Sequence, residues 1–418
     1  MKTTYLLLCL LGIGSVSGAG QTKQPQKIGD FIESTSYNEH RRNATRSLQY
    51  TPDGDDFVCI NGKNRFTRAL YGSHTAFRLE TSDQPVFAAY TKKNPKHICF
   101  KLQTSGGTVA LDSTEHCESR YTAGRRSYNL FHPSFEGGNL SIATLALPDK
   151  EGAIWQFNAR NFKGSNPILL ASISEIRNSK LNRNGDMGAD PADSFEAPLQ
   201  PQQLQSCPAQ IDGTLYILLE NQELRTLTTA EGETLFKKAE AARSETASRI
   251  RIETPDPYFN TLGGTLAMAA DGIWDGEVWL HGAIGWRMPL SGWRAAYTGD
   301  VLGWHDRART HFNAYAASQV TEVPNTLPHP AQDSALHLAR SVKKWGTPQY
   351  SNGYICRNPH RNNQMHHYDM NLCYIDELLW HFKWTGDLDY VRQMWPVITR
   401  HLAWEKLNYD PDKIGKSV

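Results

Sequence analysis

The chain has 418 residues, 39% hydrophobic and 21% charged, with Lys+Arg 44 against Asp+Glu 43 and a formal net charge of +1. That length exceeds one ordinary core and points to two domains, while the near balance of charge argues against nucleic acid or another polyanion as a partner. No dinucleotide fingerprint, P-loop or G-x-S-x-G elbow occurs, so no cofactor is expected and serine-esterase chemistry has no support.

The chain opens with MKTTYLLLCLLGIGSVSGAG, in which Lys2 precedes an apolar stretch over residues 5–11 and small residues at 17–19. This is the pattern of a secretory signal peptide over residues 1–20, too short for a membrane span, and it predicts export to the periplasm or beyond. Cys9 lies inside that segment. The remaining six cysteines (Cys59, Cys99, Cys117, Cys207, Cys356 and Cys373) show no C-x-x-C spacing, which argues against zinc ribbons and thiol redox chemistry and predicts mostly buried thiols. Cys99 and Cys117 are a pair near enough in sequence to be available for a disulfide.

Residues 21–50 are polar and read as an exposed lead-in. In DFVCINGKNRFTRALYG, Asn61-Gly62 sits between two short apolar runs and predicts a tight hairpin, because both residue types tolerate positive φ. AFRLE, VFAAYT, HICFKLQ, TVALD, LSIATLAL, AIWQFNAR, ILLASISEI and TLYILLE follow at short intervals, separated by turn signals such as Gly106-Gly107 and Gly137-Gly138. Many short strands at this spacing predict an antiparallel β-sandwich over residues 21–225, with a long polar surface loop at 178–206. Residues 228–250 then read as a polar helix, placing a helical linker at 226–253.

Residues 254–418 read as helical. Asp256 before Pro257 is positioned to cap a helix start. One helical face is formed by Val301, Trp304, Ala308, Phe312 and Tyr315, another by Leu372, Ile375, Leu378, Leu379 and Phe382. Val391, Met394, Trp395, Ile398 and Leu402 form a third, in which Pro396 is expected to introduce a kink. YTGD at 297–300 and WTGD at 384–387 each predict a tight turn, the glycine ending one helix and the aspartate capping the next.

Trp274, Trp279, Trp286, Trp293 and Trp304 are interleaved with Asp271, Asp275, Glu277, His281, Arg287, Arg294 and Asp300. So many indoles divided by charges and glycines do not fit one helical stripe, and several are expected to line a saccharide groove, where ring faces meet C–H faces and polar groups meet hydroxyls. Glycosidic cleavage needs two carboxyl groups, and Asp275 suits the general acid if indoles desolvate it, while Asp376 and Glu377 read as packed or solvated residues within a helix. His360, His366, His367 and Asp369 offer a competing reading, a metal-dependent hydrolase. Their spacing lacks the H-E-x-x-H geometry, so polar bonding around a groove is the plainer reading and no metal is expected.

TPDPYFN opening a helical region, HGAIGWRMPLSGWR, and the segment from HHYDMN to LAWEK together resemble the six-hairpin glycosidases, and NGKNRFTRALYG resembles uncharacterised members from bacterial polysaccharide-degrading systems. The resemblance implies a multi-domain β + α chain, an antiparallel β-sandwich followed through a linker by an (α/α)6 toroid. It also implies substrate contacts at Trp286 and Arg287 and a sugar-contacting acid at Asp369 beside Tyr368. With these, Trp274, His281, Trp293, Arg294 and His367 make up the expected substrate-binding set, and Asp275 and Asp369 the expected catalytic one. Twelve helices need roughly 250 residues, so residues 254–418 are expected to form an incomplete toroid of a truncated enzyme whose main general acid lies beyond Val418. The expected function is that of an exported glycoside hydrolase-like protein acting on an oligosaccharide or polysaccharide. The alternative from a different class is a non-catalytic carbohydrate-binding protein.

Overall fold

The computed structural model describes residues 49–418 apart from 66, 73–76, 91–94, 149, 165, 177–204, 283–287, 293–294, 322–331, 334–337, 340–351, 363–368 and 410–418. The signal-peptide segment, the polar lead-in up to residue 48 and nearly all of the expected long loop therefore lie outside the described residues.

The first part of the chain is built from β1 (Thr51–Asp53), β2 (Asp56–Ile60), β3 (Arg68–Tyr71), β4 (Arg78–Thr81), β5 (Val86–Tyr90), β6 (Lys96–Thr104), β7 (Gly107–Ala110) and β8 (His116–Thr122). It continues through β9 (Arg125–Phe131), β10 (Asn139–Ala146), β11 (Gly152–Arg160), β12 (Ile168–Glu175), β13 (Gln205–Gln210), β14 (Thr214–Glu220) and β15 (Glu223–Leu227). These strands form two antiparallel sheets, ordered β1-β2-β8-β9-β10-β11-β14-β15 and β13-β12-β6-β5-β4-β3, with β7 beside β6. Both sheets contribute to one core, where the Trp155 ring meets Phe87 at 5.4 Å and Phe100 at 5.7 Å, both edge-on. The six described cysteines are free thiols, and Cys99 and Cys117 stand in different sheets.

The Asn61-Gly62 hairpin does not form. Asn61 adopts the expected positive φ of 50°, but β2 lies beside β8 and β3 beside β4 in the other sheet. The Asn61 N–H donates to the Cys117 carbonyl, and its Oδ1 accepts the Cys117 N–H, both at 2.8 Å. The side chain thus imitates one more ladder residue before the chain crosses to the opposite sheet. Gly62 is required by space, since a Cβ there would fall 2.4 Å from Asp83 Oδ2 and 2.5 Å from Cys59 Sγ. Asp83 has little freedom to retreat: it is buried, accepts bonds from the Tyr50 hydroxyl at 2.7 Å and the Asn64 N–H at 2.9 Å, and pairs with buried Arg126 at 3.4 Å.

Strands β1, β8, β9, β13 and β15 add to the expected set. HCESRYT and RRSYNLF contain no apolar run, yet Cys117, Ser119 and Tyr121 in β8, and Arg126, Tyr128 and Leu130 in β9, alternate into the interior. Arg126 is tolerated there because its Nη2 donates to the Ser82 carbonyl at 2.9 Å and to Ser119 Oγ at 3.2 Å. β13 carries Pro208 and accordingly occupies a sheet edge.

The expected linker helix is α1 (Thr229–Ala247), opened by a capping box between Thr228 and Glu231. It packs Leu235 and Phe236 against Leu145, Ile154, Tyr216 and Leu218 on the outer face of the first sheet. The later helices are α2 (Pro257–Asn260), α3 (Leu262–Gly272), α4 (Tyr297–Val301), α5 (His305–Ala316), α6 (Asp369–Thr385) and α7 (Leu388–Tyr409). Asp256 caps α2 as expected, accepting the Tyr258 N–H at 2.9 Å. α3 presses on the sheets through glycines: a Cβ on Gly264 would lie 2.8 Å from the Ala123 Cβ, and one on Gly272 2.4 Å from the Tyr71 ring. A second core joins these helices through Trp274, Trp279, Phe312, Tyr315, Tyr374 and Tyr390. No described helix is long and apolar enough to cross a membrane.

The two TGD tetrapeptides take different roles. WTGD behaves as expected, with Gly386 at φ 64° ending α6 and Asp387 Oδ1 accepting the N–H groups of Asp389 at 3.1 Å and Tyr390 at 2.9 Å. YTGD instead lies within α4, and Asp300 caps nothing. Its buried carboxylate receives His305 Nδ1 at 2.7 Å and His381 Nδ1 at 2.9 Å, tying α4 to α6. Asp387 also bonds Arg309 and so ties the α6–α7 turn to α5.

Because Asp83 is held on several sides, Gly62→Ala is expected to lower the unfolding free energy by about 2–4 kcal/mol. Urea titration of the wild type and variant measures this, and a loss below about 1 kcal/mol would mean that the carboxylate gives way.

Candidate functional site

Beyond α3 the chain folds back on itself. Trp274 bridges Trp279, and Leu280 bridges Pro289, so the described residues 274–282 and 288–289 pair as a narrow ladder with a tight turn at its head. Asp275 makes that turn: its N–H donates to the Val278 carbonyl at 3.2 Å, and its Oδ1 accepts the N–H groups of Glu277 at 3.0 Å and Val278 at 2.8 Å. Gly276 supplies the left-handed residue, at φ 100°. Asp275 is exposed, so indoles do not desolvate it as expected for a general acid.

The tryptophans correct a second expectation. Trp274, Trp279 and Trp304 are only 3%, 1% and 6% exposed and belong to the helical core. The rings of Trp274 and Trp279 pack 4.6 Å apart, and Arg307 lies 4.3 Å over Trp304 while pairing with buried Asp271 at 2.7 Å. Trp274 is therefore interior packing and does not line an open groove. Trp286, Arg287, Trp293, Arg294, His366, His367 and Tyr368 lie outside the described residues, and of Asp369 only its place at the start of α6 is described. His281 is half-buried on the ladder, its N–H donating to the Met288 carbonyl at 3.0 Å.

The ladder is fastened to α5 by a bond from the Trp279 N–H to His311 Nδ1 at 3.2 Å. Burial pushes the His311 imidazole down to about 3, so the ring stays neutral and its Nδ1 remains an acceptor. Another loop reaches the same helix end, where the His360 N–H donates to the Ala314 carbonyl at 3.0 Å and His360 takes the left-handed φ of 58°. There the two loops meet: His360 Nε2 lies 2.6 Å from Glu277 Oε1, with both side chains about half exposed.

Tyr315 of α5 is buried near this pair. Burial, followed by the negative charges of Asp275 and Glu377, holds its phenol well above the usual value, so it stays protonated. Glu377 of α6 is also buried, whereas its neighbour Asp376 is exposed and accepts the Tyr297 hydroxyl. The site thus has a solvent-facing carboxylate–imidazole pair able to exchange a proton, on loops held by the end of α5. Among the described residues no three His, Cys, Asp or Glu side chains gather as a metal site.

Of the sequence candidates, the structure brings together Glu277 and His360, with Asp275 on the same turn as Glu277. The tie of Glu277 to His360, and the parts played by His311 and Tyr315, go beyond the sequence reading. A separation of 83 residues between the paired side chains leaves no local signal.

Residues 95–250 match the model of a Domain of unknown function (DUF4450). That span covers β6 through α1 and does not reach the loops carrying Glu277 and His360. No curated protein matches the chain.

His311 dictates the sign of one pH effect. Its folded pKa lies below the ordinary 6.5, so the unfolded chain binds a proton that the native protein refuses. The contribution is full above about 6.5 and is lost progressively as pH falls toward about 3. His311→Asn, which keeps an acceptor near the Nδ1 position, is expected to flatten the acid limb of Tm against pH, and an unchanged limb would assign the acid sensitivity elsewhere.

Proposed function

We propose that this is an exported glycoside hydrolase-like protein acting on an oligosaccharide or polysaccharide, its helices part of an (α/α)6 toroid. The carrying observation is the Glu277–His360 pair, a carboxyl group and an imidazole 2.6 Å apart on solvent-facing loops above an aromatic core. In its protonated form Glu277 donates to the glycosidic oxygen as the bond breaks, and His360 orients that carboxyl and exchanges its proton. Asp369, which opens α6, takes the role of the second carboxylate, acting on water or on the sugar. Asp275 shapes the turn that presents Glu277. Sugar contacts fall to His281, Trp286, Arg287, Trp293, Arg294, His367 and Tyr368, following the likeness to the six-hairpin glycosidases, and export follows from residues 1–20.

The toroid reading is supported by a stripe on α7, where Leu388, Trp395 and Leu402 recur every seven residues and are 64%, 53% and 46% exposed. Trp380 and Trp384 of α6 are exposed as well, apolar surface of the kind that a neighbouring helical hairpin would cover in such a toroid.

Release of reducing ends from a panel of oligosaccharides tests the assignment. Glu277→Gln and His360→Ala are each expected to lower kcat/KM by about 10²–10³-fold with little change in Tm. Turnover unchanged in Glu277→Gln would remove it from the chemistry, and sugar binding without turnover of any substrate would favour the non-catalytic carbohydrate-binding reading.

A further inference from the structure

We infer a second, non-catalytic saccharide-binding site in the groove between the outer face of the first sheet and α1, an inference that rests on the carbohydrate reading but not on Glu277. The floor is set by strand register. Asn129, Ser141, Asn158 and Thr214 pair in one row across β9, β10, β11 and β14, and Ser127, Ala143, Gln156 and Tyr216 pair in the next. Their neighbours Tyr128, Leu130, Ile142, Phe157 and Leu215 are buried in the core, so both rows face outward. At about 4.8 Å between strands, each row spans about 14 Å, wide enough for more than one sugar ring.

α1 forms the wall. Phe236 leans on Tyr216 with ring centroids 6.2 Å apart, and beside them lies a groove of about 480 Å³, lined also by Gln156, Glu233, Lys237, Glu240, Ala241 and Ser244. That volume falls within the range of small-ligand sites.

The chemistry of the lining selects the ligand. An antiparallel sheet face often simply meets water, but these two rows contain no ionisable side chain other than the Tyr216 phenol. They present amides and hydroxyls, groups that donate and accept together as sugar hydroxyls require. Part of the floor is already ordered, with Thr214 Oγ1 donating to Asn158 Oδ1 and Gln156 Nε2 donating to the Tyr216 oxygen, both at 2.7 Å. The charges on the wall are paired within the protein: Lys237 with Glu233 at 2.5 Å, and Glu240 with Arg125 at 3.0 Å and Arg243 at 2.5 Å. A lining with its charges compensated favours a neutral polyhydroxylated chain over an anion, and Phe236 adds an apolar edge for the sugar's C–H face. All these residues lie within the 95–250 span, apart from the loop site.

Affinity electrophoresis of the full chain through gels containing glucomannan, xyloglucan or arabinogalactan tests this, with polygalacturonate as the anionic comparison. The expected result is retardation in at least one neutral gel, reduced tenfold or more in apparent affinity by Gln156→Ala and by Ser141→Arg, which places a bulky charge on the half-buried row beside the groove. Both variants are checked for an unchanged Tm. Retardation that survives in both folded variants, or appears only with polygalacturonate, or appears in no gel, overturns the inference. Retardation kept in Glu277→Gln while turnover is lost supports both readings, whereas groove binding with no turnover in the wild type leaves this site standing and removes the catalytic one.

Discussion

A backbone N–H buried in an irregular loop must find an acceptor, and Trp279 finds one in a neutral histidine. The bond to His311 Nδ1 holds Trp279 on α5 and with it the turn that carries Glu277. His360 is referred to the same helix by its own N–H, bonded to the Ala314 carbonyl. Both members of the Glu277–His360 pair therefore take their position from α5, the condition for holding two loop side chains in register.

α5 is itself held by polar bonds through the helical core. Asp300 is shared between His305, at the start of α5, and His381 of α6, while Arg309 of α5 bonds Asp387 in the turn to α7. The Tyr374 hydroxyl donates to the Phe312 carbonyl at 2.7 Å, tying α6 directly to α5. Phe312, Tyr315 and Tyr374 pack within the helical core, and these directional bonds specify which helix faces meet.

What the chain discloses in advance depends on the range over which each feature is determined. Strands with apolar runs, such as VFAAY and TLYILLE, and the capped helix after Thr228 are decided within a few residues and are legible. β8 and β9 are harder to read because their inward positions include Ser119 and Arg126, whose burial makes sense only once Ser82 and Asp83 are beside them. Asn61-Gly62 carries a true local signal, positive φ at Asn61, but its partner strand lies in a different sheet, which no local pattern announces. The tryptophan run misleads for a related reason. The turn at Asp275 folds Trp274 onto Trp279, turning what reads as an exposed aromatic surface into an interior pair, and the site is left to side chains that tertiary packing alone brings together.

Where α3 meets the sheets, Gly264 rests on Ala123 and Gly272 on the Tyr71 ring, at separations that leave no room for even a methyl group. Two bodies in such contact lack the slack needed to slide or swing, since close-packed surfaces transmit displacement instead of absorbing it. At these two points the seam is stiff, and a larger residue at either glycine would have to lever the helix off the sheets.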